Sequence, residues 1–331
     1  MGFLSFVAMK VQQKGANVKY YWVLGATGFV GRAVVQALLD RQQGDPSIRV
    51  VAVGHRSIDA EVMERTHFLM SDLGELDAFW LERFPPAFLI HCARLGGGSD
   101  RARKRAARAG ELANSRLIKI LEKLVNKPVV VYCSGTLMLG HSLAPLNEES
   151  PLNPIAYAKY YVRGEAPWRE YVGALDVRMA LPAWILGEGS WFEAFYLRPA
   201  RESGFVPIYG DGSQLMNVVA VEDVAGQLVH LAEGGSSGMV CTIFGDTWLN
   251  QAAFAEAVAA ELGVATRAVS REKLVKEYGS TVAEALCSSA PITTIHKDWK
   301  AAYTPKYADW RTLLQAVLAG KNDRKPAGRI S

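Results

Sequence analysis

Tyr20-Tyr-Trp-Val-Leu24-Gly25-Ala-Thr-Gly28-Phe-Val-Gly31-Arg32 is the stretch that decides the fold. A short apolar run meets three evenly spaced glycines, and residues 29–39 then carry apolar side chains at helical spacing. The first part reads as a buried strand and the last as a helix with one apolar face. Glycines between them let the chain turn sharply, let its backbone approach a pyrophosphate and let the helix pack close to the strand. The first helical turn then offers open N–H groups and the positive end of the helix dipole to phosphate. A glycine triplet alone is a weak signal. Between a strand and a helix, at the head of an alternating pattern, it points to a dinucleotide site.

The alternation continues outward. Arg49-Val-Val-Ala-Val53 reads as a second strand, His67-Phe-Leu-Met70 as a third, Ala87-Phe-Leu-Ile-His-Cys-Ala93 as a fourth and Pro128-Val-Val-Val-Tyr-Cys133 as a fifth. A long helix is expected over residues 111–124, and residues 174–182 extend the strand series. Such βαβ units predict the α/β class: a Rossmann-type doubly wound parallel sheet with a smaller C-terminal substrate lobe. The expected division is an N-terminal extension over 1–17 and a dinucleotide-binding domain over 18–182, to which 214–245 returns. A substrate lobe over 183–213 and 246–320 and a flexible tail over 321–331 complete it. Within the lobe, residues 188–212, rich in Gly, Pro and aromatics, are expected as loops and short elements. Helices are expected over 249–262 and 310–318.

The 331 residues carry a formal charge of only +4, with 50% hydrophobic and 21% charged residues, which suits a soluble globular chain. The charges are mixed along the chain, so no nucleic-acid footprint is expected. One basic run stands out, Arg101-Ala-Arg103-Lys-Arg105-Ala-Ala-Arg108. It reads as a solvated helix start, or as a contact to phosphate or an anionic substrate near the cleft. Cys92, Cys133, Cys241 and Cys287 form no CxxC pair, so neither a disulfide framework nor a metal site is indicated. A reducing, cytoplasmic setting fits best. Residues 1–9 are apolar but too short to span a bilayer, and no membrane partner is expected.

The end of the second strand selects between dinucleotides. A carboxylate there bonds the ribose hydroxyls of NAD, whereas a basic residue accommodates the phosphate of NADP. This chain reads Val53-Gly54-His55-Arg56-Ser57, without an acid. Arg56 is suited to a two-pronged phosphate contact, Ser57 adds a hydroxyl, and Arg32 lies at the helix start. NADP is expected in preference to NAD.

As a set, the motifs resemble the extended short-chain dehydrogenase/reductases, the NAD(P)-dependent epimerase/dehydratase group, over residues 19–318. Gly25 to Gly31 resembles their GxxGxxG, and Ser71-Asp72-Leu73 their acidic turn beside adenine. Ile90-His91-Cys92-Ala93 resembles the fourth-strand segment beside the cofactor, with Arg94 where a second alanine is usual. Tyr132-Cys133-Ser134-Gly135-Thr136, then Gly140, resembles the fifth-strand serine segment. Leu181-Pro182-Ala-Trp-Ile-Leu-Gly187 resembles RPxxxxG with Leu181 in the arginine place. Gly210-Asp-Gly212 and Val221-Glu-Asp-Val-Ala225 resemble the GDG and VxDxA segments. The resemblance implies cofactor contacts from Gly25, Thr27, Gly28, Phe29, Val30, Gly31, Arg32, His55, Arg56, Ser57, Asp72, Leu73, Cys92, Ala93, Arg94, Tyr157, Pro182 and Ile185. It also implies a homodimer built on the long helices flanking the fourth and fifth strands.

In that family a tyrosine moves the proton at the reacting oxygen, a lysine four residues on supports it, and a Ser or Thr binds the oxygen. Tyr157 takes the tyrosine place, but the lysine place holds Tyr161. A free tyrosine, with a pKa of about 10, is a poor base at neutral pH without a neighbouring cation. Lys159 and Arg163 would leave the helix on other faces. The serine place aligns with Gly135, so Thr136, or else Ser134, is expected to serve. Three readings follow. The protein reduces a carbonyl with NADPH, Tyr157 donating the proton, which asks less of its acidity. It keeps NAD(P) for a non-redox lyase, isomerase or cyclase reaction. Or it is a non-catalytic dinucleotide sensor.

The resemblance places Pro182 to Ile185 beside the nicotinamide. Trp184, Trp191, Phe192 and Tyr196 are then expected to face the substrate, because rings bury apolar area and stack on flat ligands. Relatives that bind nucleotide-sugars use basic and polar residues for the diphosphate, and this stretch is mostly apolar. A hydrophobic or aromatic small molecule is the expected substrate.

Overall fold

The computed structural model describes residues 18–322 apart from 95 and 98. The extension expected over 1–17, and the tail expected over 321–331 beyond its first two residues, lie outside the described residues.

The first half alternates strand and helix. Its elements are β1 (Lys19–Leu24), α1 (Phe29–Gln42), β2 (Ile48–Gly54), α2 (Ala60–Arg65), β3 (His67–Met70), α3 (Ala78–Arg83) and β4 (Pro86–His91). Then follow α4 (Asp100–Leu121), β5 (Val129–Cys133), α5 (Lys159–Arg169) and β6 (Asp176–Pro182). Residues 21–24 of β1 are fully buried, as a parallel strand covered on both faces must be. In α1 the buried residues Gly31, Val34, Val35, Leu38 and Leu39 form one stripe at the spacing of a half-covered helix. The long helix α4 begins well before the expected residue 111. Its basic run is made of strong helix formers, and the Ser99 hydroxyl caps it by accepting from the Ala102 N–H at 3.2 Å.

Past β6 come β7 (Trp184–Leu186), a π-helical turn (Glu193–Leu197), α6 (Arg198–Ser203), β8 (Phe205–Tyr209), β9 (Leu215–Met216) and β10 (Val218–Ala220). After these lie α7 (Val221–Gly234), β11 (Val240–Ile243), β12 (Leu249–Asn250), α8 (Gln251–Leu262) and β13 (Ala265–Val269). The last elements are α9 (Arg271–Tyr278), α10 (Ser280–Leu286), α11 (Lys297–Ala301) and α12 (Trp310–Asn322). Residues 188–212, expected as loops and short elements, thus hold a π-helical turn, a helix and a strand.

The main sheet has seven strands in the order β11-β6-β5-β4-β1-β2-β3, all parallel. It is a doubly wound Rossmann-type α/β fold. The order reverses between β1 and β4, and the chain leaves the sheet at that switch point where open α/β sheets bind ligands. Helices α1 and α7 pack on one face with Val34, Leu38, Val224 and Leu228. Leu81 of α3, Leu117 of α4 and Trp168 of α5 pack on the other. A separate apolar cluster binds β7, the π-helical turn, β8, α8 and α12 together. The chain therefore makes β6, builds part of this second cluster, returns with α7 and β11 to complete the sheet, and then supplies the rest of the cluster.

Candidate functional site

The turn after β1 is built from glycine for steric reasons. Gly25 has φ +79°, and a Cβ there would lie 2.7 Å from the backbone of Ala93 beyond β4. A Cβ on Gly31 would land on the Gly25 carbonyl oxygen. Gly28, the N-cap of α1, is extended and has no side chain with which to cap the helix. The first-turn N–H groups of Phe29, Val30 and Gly31 therefore stand at the C-terminal edge of the sheet with only the helix dipole behind them. This cradle fits a pyrophosphate.

The other residues expected to contact the cofactor lie near the same edge. Thr27 packs its side chain on the end of β2, where a Cβ on Gly54 would meet Thr27 Cγ2 at 2.5 Å. His55, Arg56 and Ser57 follow β2 and are exposed, with no carboxylate until Asp59. Asp72 is exposed and leads into the short 3-10 turn at Leu73. Pro182 ends β6, Ile185 lies in β7, and Arg32 reaches across the cleft to within 3.9 Å of where a Cβ on Gly189 would sit. Cys92 follows β4 opposite Cys133, as the register His91↔Tyr132 requires. The neighbouring Cys133 thiol and burial push the Cys92 thiol well up.

Tyr157 lies just before α5 and Tyr161 in its first turn, with ring centroids 5.4 Å apart at 61°. The Arg94 guanidinium sits over the Tyr161 ring at 4.4 Å and donates to the Ser134 carbonyl oxygen at 3.1 Å. A Cβ on Gly135 would stand 3.8 Å from both Arg94 Nη2 and the Pro182 carbonyl oxygen, so glycine leaves room there. Burial and the neighbouring Tyr157 push the Tyr161 hydroxyl up to about 12, with Arg94 and then Arg103 pulling the other way. Arg94, which the sequence placed only among cofactor contacts, thus covers the Tyr161 ring, and that ring packs against Tyr157.

Ser134 is corrected. Its hydroxyl donates to Glu165 Oε2 of α5 at 2.6 Å, and the residue is buried at 4% exposure. Glu165 also pairs with Arg169, so this hydroxyl is committed to anchoring α5 on the end of β5. Thr136 is buried as well and opens the 3-10 turn Thr136–Met138. The position that faces Arg94 is Gly135.

A sequence profile described as the NAD dependent epimerase/dehydratase family matches residues 21–243. The chain belongs to this family. None of the curated protein sequences matches the chain. Among solved structures, a dTDP-glucose 4,6-dehydratase from Bacillus anthracis in complex with NAD superposes with a TM-score of 0.74 at 16% identity, covering 93% of this chain and 98% of that one. The UDP-glucuronic acid 4-epimerase of Bacillus cereus, with UDP-glucuronic acid and NAD, gives a TM-score of 0.74 at 15% identity, covering 92% and 100%. The human epimerase family protein SDR39U1 with NADPH gives a TM-score of 0.74 at 19% identity, covering 91% and 99%. At these identities the likeness is one of fold.

The expected substrate residues divide. Phe192 and Tyr196 are buried at 1% and 2% exposure in the second cluster, against Phe254 at 5.9 and 5.1 Å. The Tyr196 hydroxyl accepts from Gln251 Nε2 at 2.8 Å. Both rings are buried parts of the second cluster, and Tyr196 also lines the small hollow beside Trp184 and Trp191. Trp184 and Trp191 are half-buried, meet edge to face at 5.0 Å, and flank a small hollow with Met216 and Gln214.

Two supports of the site were not anticipated. His91 at the end of β4 is fully buried, and burial pulls its imidazole down to about 4. Its Nε2 faces Asn114 Oδ1 at 2.9 Å, and Asn114 Nδ2 donates to the Gly164 carbonyl at 2.8 Å. That chain ties β4, which leads into Arg94, to α4 and α5, which carry Arg103 and Tyr161. The second support is α10, which lies on the Tyr157 segment. Ala285 packs on Ile155 and Ala158, and Glu284 accepts from the Ala156 N–H at 3.0 Å. A histidine among apolar strand residues was the available signal for the first. Nothing in the sequence marks the second.

Proposed function

We propose that this protein is an oxidoreductase that binds NADP in preference to NAD and reduces a carbonyl of a small molecule. The observation that carries the reading is Tyr157 packed against the Tyr161 ring that Arg94 covers, at the same sheet edge as the glycine cradle. The preference for NADP rests on exposed Arg56 and Ser57 after β2 and on the lack of an acid there. The nicotinamide, when bound in its reduced form, supplies a hydride to the carbonyl carbon. Tyr157 passes its phenolic proton to the carbonyl oxygen, so C=O becomes CH–OH, and the phenolate regains a proton from water. A donor in this role needs less help than a base, which suits the lack of lysine at position 161. An aromatic part of the substrate rests on Trp184 and Trp191.

The test is NADPH consumption with a panel of ketones, using the parent and Tyr157→Phe. Turnover abolished by Tyr157→Phe, with NADPH still bound, supports the reading. Undiminished turnover removes Tyr157 from the mechanism. Tightly bound nucleotide that is never consumed points instead to a non-redox lyase, isomerase or cyclase, or to a sensor.

One observation favours a second substrate class. A cavity of about 490 Å³ in the lobe is lined by Arg198, Glu202, Arg267, Lys273, Glu277 and Tyr278. Its cations suit the diphosphate of a nucleotide-linked sugar, the kind of molecule bound in several fold relatives. Calorimetry with UDP-glucose and dTDP-glucose decides: micromolar binding supports this class and its absence removes it.

A further inference from the structure

The basic run on α4 is mostly a solvated face. Arg101, Lys104, Arg105 and Arg108 are exposed. Arg103 differs. It turns inward, donates to the Thr281 hydroxyl of α10 at a long 3.4 Å, and leaves its Nε buried without a hydrogen-bond partner. Its charge reaches the same Tyr161 ring that Arg94 covers from the end of β4. Arg94 on the Tyr161 ring, and Arg103 on the helix α10 that holds the Ala156 amide, therefore flank the segment carrying Tyr157 and Tyr161.

Among the described residues neither arginine has a carboxylate partner. The nearby acids are committed elsewhere. Asp100 accepts from the Tyr160 hydroxyl at 2.8 Å, Glu111 pairs with Arg163 at 2.7 Å, and Glu284 holds the Ala156 amide at 3.0 Å. Arg94 is exposed, but the buried Nε of Arg103 without an acceptor is costly. An anion that reaches from Arg94 to Arg103 removes that penalty. The planar fork of Arg94 has one N–H on the Ser134 carbonyl and keeps others for a ligand, and the missing Cβ of Gly135 leaves space in front of it.

We propose that Arg94 and Arg103 form a clamp for a carboxylate carried by the substrate next to its reacting carbonyl, so that the site takes 2-oxo acids. This rests on the reductase reading and names its substrate class. The carboxylate lies against the two arginines, and the neighbouring carbonyl oxygen is then delivered to the Tyr157 hydroxyl. An ester or amide of the same acid loses the clamp.

The test uses oxamate, which carries one carboxylate, and oxamide, its uncharged counterpart, titrated calorimetrically into the full chain with and without NADP. Oxamate is expected to bind at least about tenfold more tightly than oxamide, and added salt to weaken it. Arg94→Gln and Arg103→Gln should each weaken oxamate at least about tenfold, and Arg94→Lys should weaken it less. Thr281→Val breaks the bond from Arg103 to α10 while keeping the charge, and should leave oxamate affinity within about twofold. Equal affinity for oxamate and oxamide, no oxamate binding, or parent-like binding by both glutamine variants overturns the clamp. Arginine-dependent oxamate binding, with no 2-oxo acid consuming NADPH, sinks the reductase reading and leaves the clamp. NADPH consumption by neutral ketones with no gain for 2-oxo acids does the reverse.

Discussion

Replacing Ser134 with alanine separates an anchoring hydroxyl from a catalytic one. In the native protein this hydroxyl donates at 2.6 Å to the buried carboxylate of Glu165. A hydrogen bond to a charged group contributes about 1.5–3 kcal/mol, and the partner left behind here is a carboxylate at 1% exposure. The retained pair with Arg169 limits the damage, so the expected loss is about 2 kcal/mol, a factor of roughly 30 in the folded-to-unfolded ratio. With a urea dependence of about 3 kcal/mol/M, the unfolding midpoint falls by roughly 0.7 M. Turnover per folded molecule and NADPH affinity should stay within about twofold, because the hydroxyl points into α5. Glu165→Ala should cost more, about 3–5 kcal/mol, since it strands Arg169. In the double variant the Ser134 effect should largely disappear. An unchanged midpoint together with a collapse of kcat would place the hydroxyl in the cleft and refute this geometry. So would full additivity of the two substitutions.

Arg56→Glu should weaken NADPH by about 10–100-fold in fluorescence titrations and leave NADH nearly unchanged; equal losses for both nucleotides would remove Arg56 from phosphate recognition. His91 gives a pH signature. Folded His91 stays neutral down to about 4, whereas the unfolded chain takes up a proton near its ordinary 6.5. The unfolded state then binds more protons across that window, so the contribution is complete above pH 6.5 and is lost as pH falls toward 4. The full loss is about 3 kcal/mol. The stability difference between the parent and His91→Gln should narrow over that range; a difference independent of pH would mean that His91 is not held neutral. Phe192→Ala should cost about 3–5 kcal/mol in denaturation, with KM for any substrate changed little. A large rise in KM with unchanged stability would return the ring to the cleft.

Much of this architecture was readable in advance, for reasons visible in particular residues. The run from Tyr21 to Leu24 is buried on both faces, so its apolar composition alone announced a central strand, and the glycines beside it have steric duties within a few residues. The site depends on partners distant in sequence. Ser134 is aimed by Glu165, which no local pattern reveals, and Arg94 looked like a spoiled alanine until Tyr161 supplied a ring beneath it. Phe192 and Tyr196 misled because an aromatic stretch after the cofactor motifs reads as a ligand wall. Phe254, from a helix much further on, makes them a core instead. Strand periodicity reports burial, while the direction of a polar group at a strand end is set by whatever packs against it.

The last strand of the main sheet has a practical consequence. Because β11 pairs with β6 and α7 covers α1, a fragment ending at Pro182 would expose the edge of β6 and the apolar side of α1. A nascent chain is therefore expected to need residues 221–243 before these layers close. A truncated clone of residues 18–182 is therefore expected in inclusion bodies, whereas one ending after residue 322 stays in the supernatant.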